Sequence, residues 1–180
     1  EVLRLHAAVR EAVEGLETLR ERVLVRAGVE ESRIFEAQIL MVQDPDFLSG
    51  DELLIRKNQL SAETAYEFKA LELRNLWASS GSAQLRERLT DLTAIQRRVV
   101  LKLMGQTERE PWSGTLGEQV IVVAHELSPG LTVQLDREHV VGLISEEGTR
   151  TSHAAILAHS LGIPAVMGVA GALQRVRDGQ

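Results

Sequence analysis

The sequence predicts an α+α/β organisation: an all-helical bundle of two hairpins joined to a small α/β domain. Three observations carry this. Apolar stripes at helical spacing run from residue 1 to about 106, a polar stretch rich in Gly and Pro follows, and the remainder alternates short apolar strands with short helices. The domains are therefore placed at 1–106 and 107–180. A chain of 180 residues, 44% of them apolar, can bury the cores of two such small units.

In the first helix Leu5, Val9, Ala12, Leu16, Leu19 and Val23 alternate steps of four and three, which makes one continuous stripe that ends at Gly28. A second helix, about 31 to 43, carries Ile34, Phe35, Ile39, Leu40, Met41 and Val42. These wrap more than one face, so the helix is either buried on two sides or keeps one side for docking. "QDPDFLSGD" interrupts the pattern; Pro45 predicts a break near Asp44, a loop exposing Phe47, and a short helix over 51–58. Ser61 is a good N-cap for a long helix with Tyr66, Ala70, Leu73 and Trp77 on one face. After the "SSGS" loop, Leu85, Leu89, Leu92, Ile95, Val99 and Leu103 form the last long stripe, and two antiparallel hairpins are the economical packing.

"TEREPWSGTLGE" reads as a linker. "VIVVA" (120–124) and "VVGLIS" (140–145) read as buried strands, with Ser128 and Pro129 opening a helix through Leu131, Val133 and Leu135 in the cap-then-N1 arrangement. A third strand is expected around Ala165 to Met167.

Composition narrows the function. There is no cysteine, which removes disulfides, thiolate metal sites and cysteine nucleophiles. No apolar run approaches a membrane span, so membrane insertion is not expected; no signal peptide is visible, although the N-terminus reads as an internal helix and residues before it could carry one. The net charge of −6 and the lack of a basic patch with interleaved aromatics argue against nucleic acid and suit a basic protein partner.

The most telling stretch is "GTRTSHAAILAHSLGIPAVMGV". Gly148 and Thr149 supply a turn, Thr151 or Ser152 caps a helix, and His153 stands where loop becomes helix; Gly162 is the expected stop. A helix N-terminus offers unpaired N–H groups and a partial positive charge, which favours an anion attached there. A histidine in that place is suited to carrying a phosphoryl group. His125 follows a strand and reads as a loop-surface histidine, and His6 and His139 read as surface residues. Glu146 and Glu147 lie just before the Gly turn and could bound a pocket. No His/Asp/Glu cluster has metal-ligand spacing.

This stretch resembles the phosphohistidine signature of the phosphoenolpyruvate-utilising enzymes. The upstream "IFEAQILMVQDP" resembles enzyme I of the sugar phosphotransferase system in particular. The family usually has Gly or Ala where Thr149 stands, and Arg or Gly where His159 stands. The resemblance spans the helical domain and most of the phosphohistidine domain, but none of the barrel domain that binds phosphoenolpyruvate. In the family a further strand precedes the helical domain and another follows the phosphohistidine site. The α/β half is thus expected to lack its first and last strands.

The resemblance implies that His153 relays a phosphoryl group from phosphoenolpyruvate to a histidine of the carrier protein HPr. Thr132 matches a hydroxyl-bearing position beside the active histidine, Thr151 and Ser152 would orient the ring, and Arg150 would balance the phosphate. Met41 and Phe47 would give the carrier apolar contact, with Glu30, Glu31, Glu36, Asp44 and Asp46 as acidic surroundings. No cofactor is expected within these residues; magnesium belongs to the barrel domain of the whole enzyme. A cytoplasmic monomer is the expectation, since dimerisation in the family uses the barrel. Three alternatives remain: the enzyme-I-like domain of a fused multi-phosphoryl-transfer protein, a pyruvate phosphate dikinase or phosphoenolpyruvate synthase, and a non-catalytic helical interaction module. The helical half argues against the second and the presence of His153 against the third.

Overall fold

The computed structural model describes residues 1–82, 84–85, 88–106 and 118–180. The expected linker therefore lies, up to residue 117, outside the described residues. The chain divides into two compact units: Glu1–Thr18 with Phe35–Glu108, and Leu19–Ile34 with Arg109–Gln180. The tip of the first helical hairpin thus groups with the C-terminal residues, rather than with the rest of the helices as a division at 106 would have it. Among the described residues no helix is long and apolar enough to cross a membrane.

Helix α1 (Val2–Arg26) and helix α2 (Val29–Val42) form the first hairpin, and Gly28 turns the chain between them with φ +106°. That left-handed conformation suits Gly, which has no Cβ to clash. All six residues of the α1 stripe, Leu5 to Val23, are buried as their spacing requires. On α2, Ile34, Phe35 and Val42 are buried and Met41 is half-buried, but Leu40 is 71% exposed. Leu40, and Val29 at the helix start, are therefore apolar residues of this helix that the core does not use.

The segment after Asp44 departs from expectation. Pro45 begins a 14-residue helix, α3 (Pro45–Asn58), instead of extending a loop. Asp44 is its N-cap: the carboxylate accepts from the backbone N–H groups of Asp46 at 2.9 Å and Phe47 at 3.0 Å. Pro at the first helical position has no N–H to leave unpaired, so the residue that breaks a helix interior here starts one. Phe47 consequently sits in the first turn, buried, with its ring edge-on to Tyr66 at 5.1 Å. It is a core residue, and its expected role as an exposed carrier contact is corrected.

Helix α4 (Ala62–Ser79) starts at Ser61, whose hydroxyl accepts from Thr64 N–H at 3.2 Å. Helix α5 (Leu89–Leu103) packs back along α4, and α3 packs on α4. Tyr66 and Ala70 from α4 and Leu92, Ile95, Val99 and Leu103 from α5 are buried. Each large apolar side chain removed from water contributes roughly 1.5–3 kcal/mol before ordering costs. Polar ties set the register: Arg4 donates to the Leu103 carbonyl at 2.9 Å and pairs with Glu63, and buried Gln38 donates to Asp91 at 2.9 Å. His6 lies 2.8 Å from Glu52, so it joins α1 to α3 rather than standing alone on the surface.

The second unit holds a three-stranded parallel sheet in the order β1 (Val120–Ala124), β2 (Val140–Ser145), β3 (Ala165–Val166). A short helix, α6 (Pro129–Thr132), follows β1, and α7 (His153–Ser160) follows β2; a last turn of helix, α8, spans Ala172–Arg175. The helix expected to run to Leu135 stops at Thr132 and continues as tight turns, with Gln134 N–H bonded to the Leu131 carbonyl and Leu135 N–H to the Thr132 carbonyl. One sheet face supplies Val122 and Leu143 to a core shared with Leu127, Leu135, Ala154, Ala158, Leu161 and Ile163. From the hairpin tip, Arg26 donates to the Val133 carbonyl at 2.6 Å and the Leu135 carbonyl at 3.0 Å, which satisfies acceptors left free where α6 ends.

Candidate functional site

All three strands run the same way, so the loops after β1, β2 and β3 leave one edge of the sheet. The carboxyl edge of a parallel sheet is where side chains from different loops converge on a ligand. The loop after β2 is the one that delivers His153. Gly148 takes φ +98°, Ser152 N–H bonds back to the Thr149 carbonyl at 3.0 Å, and the chain then enters α7. Ser152 is the N-cap: its backbone is extended, and its hydroxyl accepts from Ala155 N–H at 3.4 Å. Thr151 is not the cap; its hydroxyl lies 3.0 Å from that of Thr149, facing solvent.

His153 is therefore the first residue of α7, and it is exposed. Behind it Ala154, Leu157 and Ala158 are buried, so small and apolar residues seat the helix while the ring stays outside. The far end closes on Gly162, with φ +71°, Gly162 N–H bonded to the His159 carbonyl at 2.9 Å and Ile163 N–H to Ala158 at 2.8 Å. These paired bonds at a left-handed Gly terminate the helix cleanly. The first-turn N–H groups of α7 point toward the loop, so the position combines an accessible ring with a local anion-favouring field.

The other expected residues fall as follows. Thr132 lies on α6, which packs against α7, and is fully buried. Its hydroxyl donates to the Ser128 carbonyl at 2.9 Å, one turn back in its own helix. Its lone pairs remain for a second partner. Arg150 is exposed in the loop before His153, and His159 is exposed in the last turn of α7. Glu30 pairs with Arg33 at 2.8 Å, and Glu31 accepts from the Ser160 hydroxyl at 2.7 Å, a bond that holds its carboxyl below the usual range. Glu36 and Asp46 are exposed, and Asp44 is exposed while it caps α3. Among the described residues no three His, Cys, Asp or Glu side chains gather as a metal site.

Two residues acquire partners that sequence reasoning did not assign. His125 Nδ1 lies 2.8 Å from Glu146 Oε2. The signal was available in principle: parallel pairing of Ala124 with Ser145 makes the next residue on each strand a neighbour. Only the register, which is a property of the sheet, reveals it. The bond to Glu146 is the main reason that the His125 pKa is raised, and the same bond, followed by the Leu173 N–H, lowers that of Glu146.

Known proteins resemble this chain along most of its length. Residues 1–88 match the family described as PEP-utilising enzyme, N-terminal, and residues 116–180 match the PEP-utilising enzyme, mobile domain. The chain is 35% identical over 179 residues to the phosphoenolpyruvate-protein phosphotransferase of Geobacillus stearothermophilus, covering 99% of this chain and 31% of that protein. The protein of that name from Latilactobacillus sakei is 35% identical over 180 residues, again 99% and 31%. The chain thus spans about a third of the length of these curated relatives. Among solved structures, an NMR structure of enzyme I (nEIt) superposes with a TM-score of 0.76 at 31% identity, covering 98% of this chain and 71% of that one. The N-terminal domain of "Enzyme 1 - Nitrogen" gives 0.62 at 28% identity, covering 93% and 67%. With a phosphohistidine-type loop on an α/β unit, a helical unit beside it in sequence, and these matches along nearly its whole length, the chain belongs to the enzyme I, or phosphoenolpyruvate–protein phosphotransferase, family.

Proposed function

We propose that the chain is the phosphohistidine and carrier-docking part of a cytoplasmic phosphoenolpyruvate–protein phosphotransferase. His153 takes a phosphoryl group from phosphoenolpyruvate held on a separate barrel domain. One ring nitrogen forms a P–N bond as the P–O bond to the enolpyruvate oxygen breaks; the enolate released takes a proton from solvent at its methylene carbon to become pyruvate. The P–N bond then breaks as a histidine of the carrier protein HPr forms its own. Both steps are in-line displacements, in which the protein's work is to position donor and acceptor and to balance the travelling charge. Ser152 and the first turn of α7 orient and face the phosphate, with Arg150 as the nearby cation.

The observation that carries this reading is the exposed His153 ring at the first position of a Ser-capped helix on the carboxyl edge of the sheet. For the carrier, the outward stripe of α2 offers Glu36 and Leu40, with half-buried Met41 beside them and Asp46 beyond the helix end, all suited to a basic face around an apolar patch. Incubation with phosphorylated HPr tests the assignment. The protein should gain label on one histidine, stable to alkali and labile to acid. His153→Ala should remove the label and leave the helical signal unchanged. Labelling that persisted in this variant would refute it.

A further inference from the structure

One carboxylate joins the three loops at the edge of the sheet that presents His153. Glu146 is the first residue after β2. Its Oε2 lies 2.8 Å from Nδ1 of His125, the first residue after β1, and its Oε1 accepts from Leu173 N–H, beyond β3, at 3.0 Å. Backbone bonds draw the same loops together: Glu146 N–H to the Ala124 carbonyl at 3.0 Å, Glu147 N–H to the His125 carbonyl at 2.8 Å, and Val169 N–H to the Ser145 carbonyl at 3.0 Å. The buried Ser145 hydroxyl adds a bond to the His125 carbonyl at 3.2 Å. The segment anchored this way is the base of the loop that ends in Ser152 and His153.

We infer that His125 and Glu146 are positioning residues for His153, holding the base of its loop against the loops after β1 and β3. The inference rests on the phosphoryl-carrier reading above. Neither residue touches the reacting nitrogen; they act through the loop's placement, and transfer between two histidines is sensitive to such placement.

The pair also makes this placement dependent on pH. The charged groups that face His125 are Glu146, Glu147 and Glu126, all acidic, and Glu146 is faced by His125 and by the N–H groups of Leu173 and Gly171. The His125 pKa is raised above 6.5, chiefly by the bond to Glu146, and the Glu146 pKa is lowered below 4.5, chiefly by the bond to His125. A raised histidine pKa means that the pairing is complete below 6.5 and is lost as pH rises through the raised value. At the acid end it is lost as pH falls through the lowered Glu146 value. His125 is exposed, so solvent screening keeps the effect modest.

The test is an NMR titration of the protein paired with a transfer assay. In the wild type, the amides of Gly148 to Ser152 should shift with the same midpoint as the His125 ring. In His125→Gln that inflection should vanish, and the Leu173 amide should move. With phosphorylated HPr as donor, His125→Gln should be about two- to fivefold slower at pH 6, as expected for an exposed pair, and should match the wild type above the His125 midpoint. Loop amides that ignore the His125 titration would overturn the inference, as would a loss of rate equal at every pH. If neither protein took label at any pH, the phosphoryl-carrier reading would fail, while the amide titration would still decide the role of the pair.

Discussion

Asp51 provides a quantitative test of how the helical unit is built. It lies on α3, wholly buried, and neither carboxylate oxygen has a hydrogen-bond partner. Burial raises its pKa from 3.8 to about 7, against the opposing attraction of Lys69 on α4. Lys69 comes close because residue 50 is Gly: a Cβ there would stand 2.8 Å from the Lys69 Cε. Its ammonium, however, is 2.5 Å from Glu72, so desolvation of Asp51 outweighs the pairing. A carboxyl whose folded pKa is raised binds a proton more tightly when folded. Its contribution to stability is therefore present below 3.8 and lost as pH rises through about 7. At about 1.4 kcal/mol per pH unit, the loss comes to roughly 4–4.5 kcal/mol. Asp51→Asn removes the titration. It substitutes a constant cost for the buried amide, so the slope with pH is the diagnostic quantity rather than the absolute stability. Hydrogen exchange of the α3 and α4 amides, measured between pH 4 and 8.5, reports opening of this unit alone. The wild type should lose protection across that range and the variant should not. If the wild type gained protection with rising pH, Lys69 would be holding a stable ion pair and the reasoning would be wrong.

Other substitutions separate core from surface and cap from site. Phe47→Ala should destabilise the helical unit by about 3–5 kcal/mol, because it empties a buried aromatic contact; a variant with unchanged urea midpoint and weakened HPr binding would restore Phe47 to the surface. Met41→Ala should leave the midpoint nearly unchanged and speed release of HPr, while Asp46→Lys should slow its association, most visibly at low salt; stopped-flow binding distinguishes them. Ser152→Ala should cost about 1 kcal/mol through the lost cap of α7 and slow transfer to His153, measured as protection of α7 amides beside labelling rate. Thr132→Val should cost roughly 1 kcal/mol in stability from the lost bond to the Ser128 carbonyl. A fall in transfer rate of about fivefold would in addition mean that its hydroxyl reaches the His153 ring, and an unaltered rate would confine Thr132 to its own helix.

Much of this protein was legible as a string. The four-and-three spacing from Leu5 to Val23 specifies α1, because a helix repeats every 3.6 residues and only that spacing gathers its apolar residues on one side. Ser61, Ser128 and Gly162 mark helix ends by local chemistry that needs no distant partner. The Gly turn, the capping Ser and the His before a run of small residues mark the His153 loop for the same reason: these features lie within one loop and one helix. Misjudgements came where local signals have two solutions. Pro45 can end a helix or begin one, and the carboxylate of Asp44 capping α3 decided for the second. Phe47 follows from that choice, since a residue in the first turn of a helix packed on α4 meets Tyr66 instead of solvent. The His125–Glu146 pair, the burial of Asp51 and the grouping of Leu19–Ile34 with the C-terminal unit depend on residues far apart in the chain. Strand register and helix packing bring such residues together, and neither is encoded in any short window, so these features were decided by the tertiary structure alone.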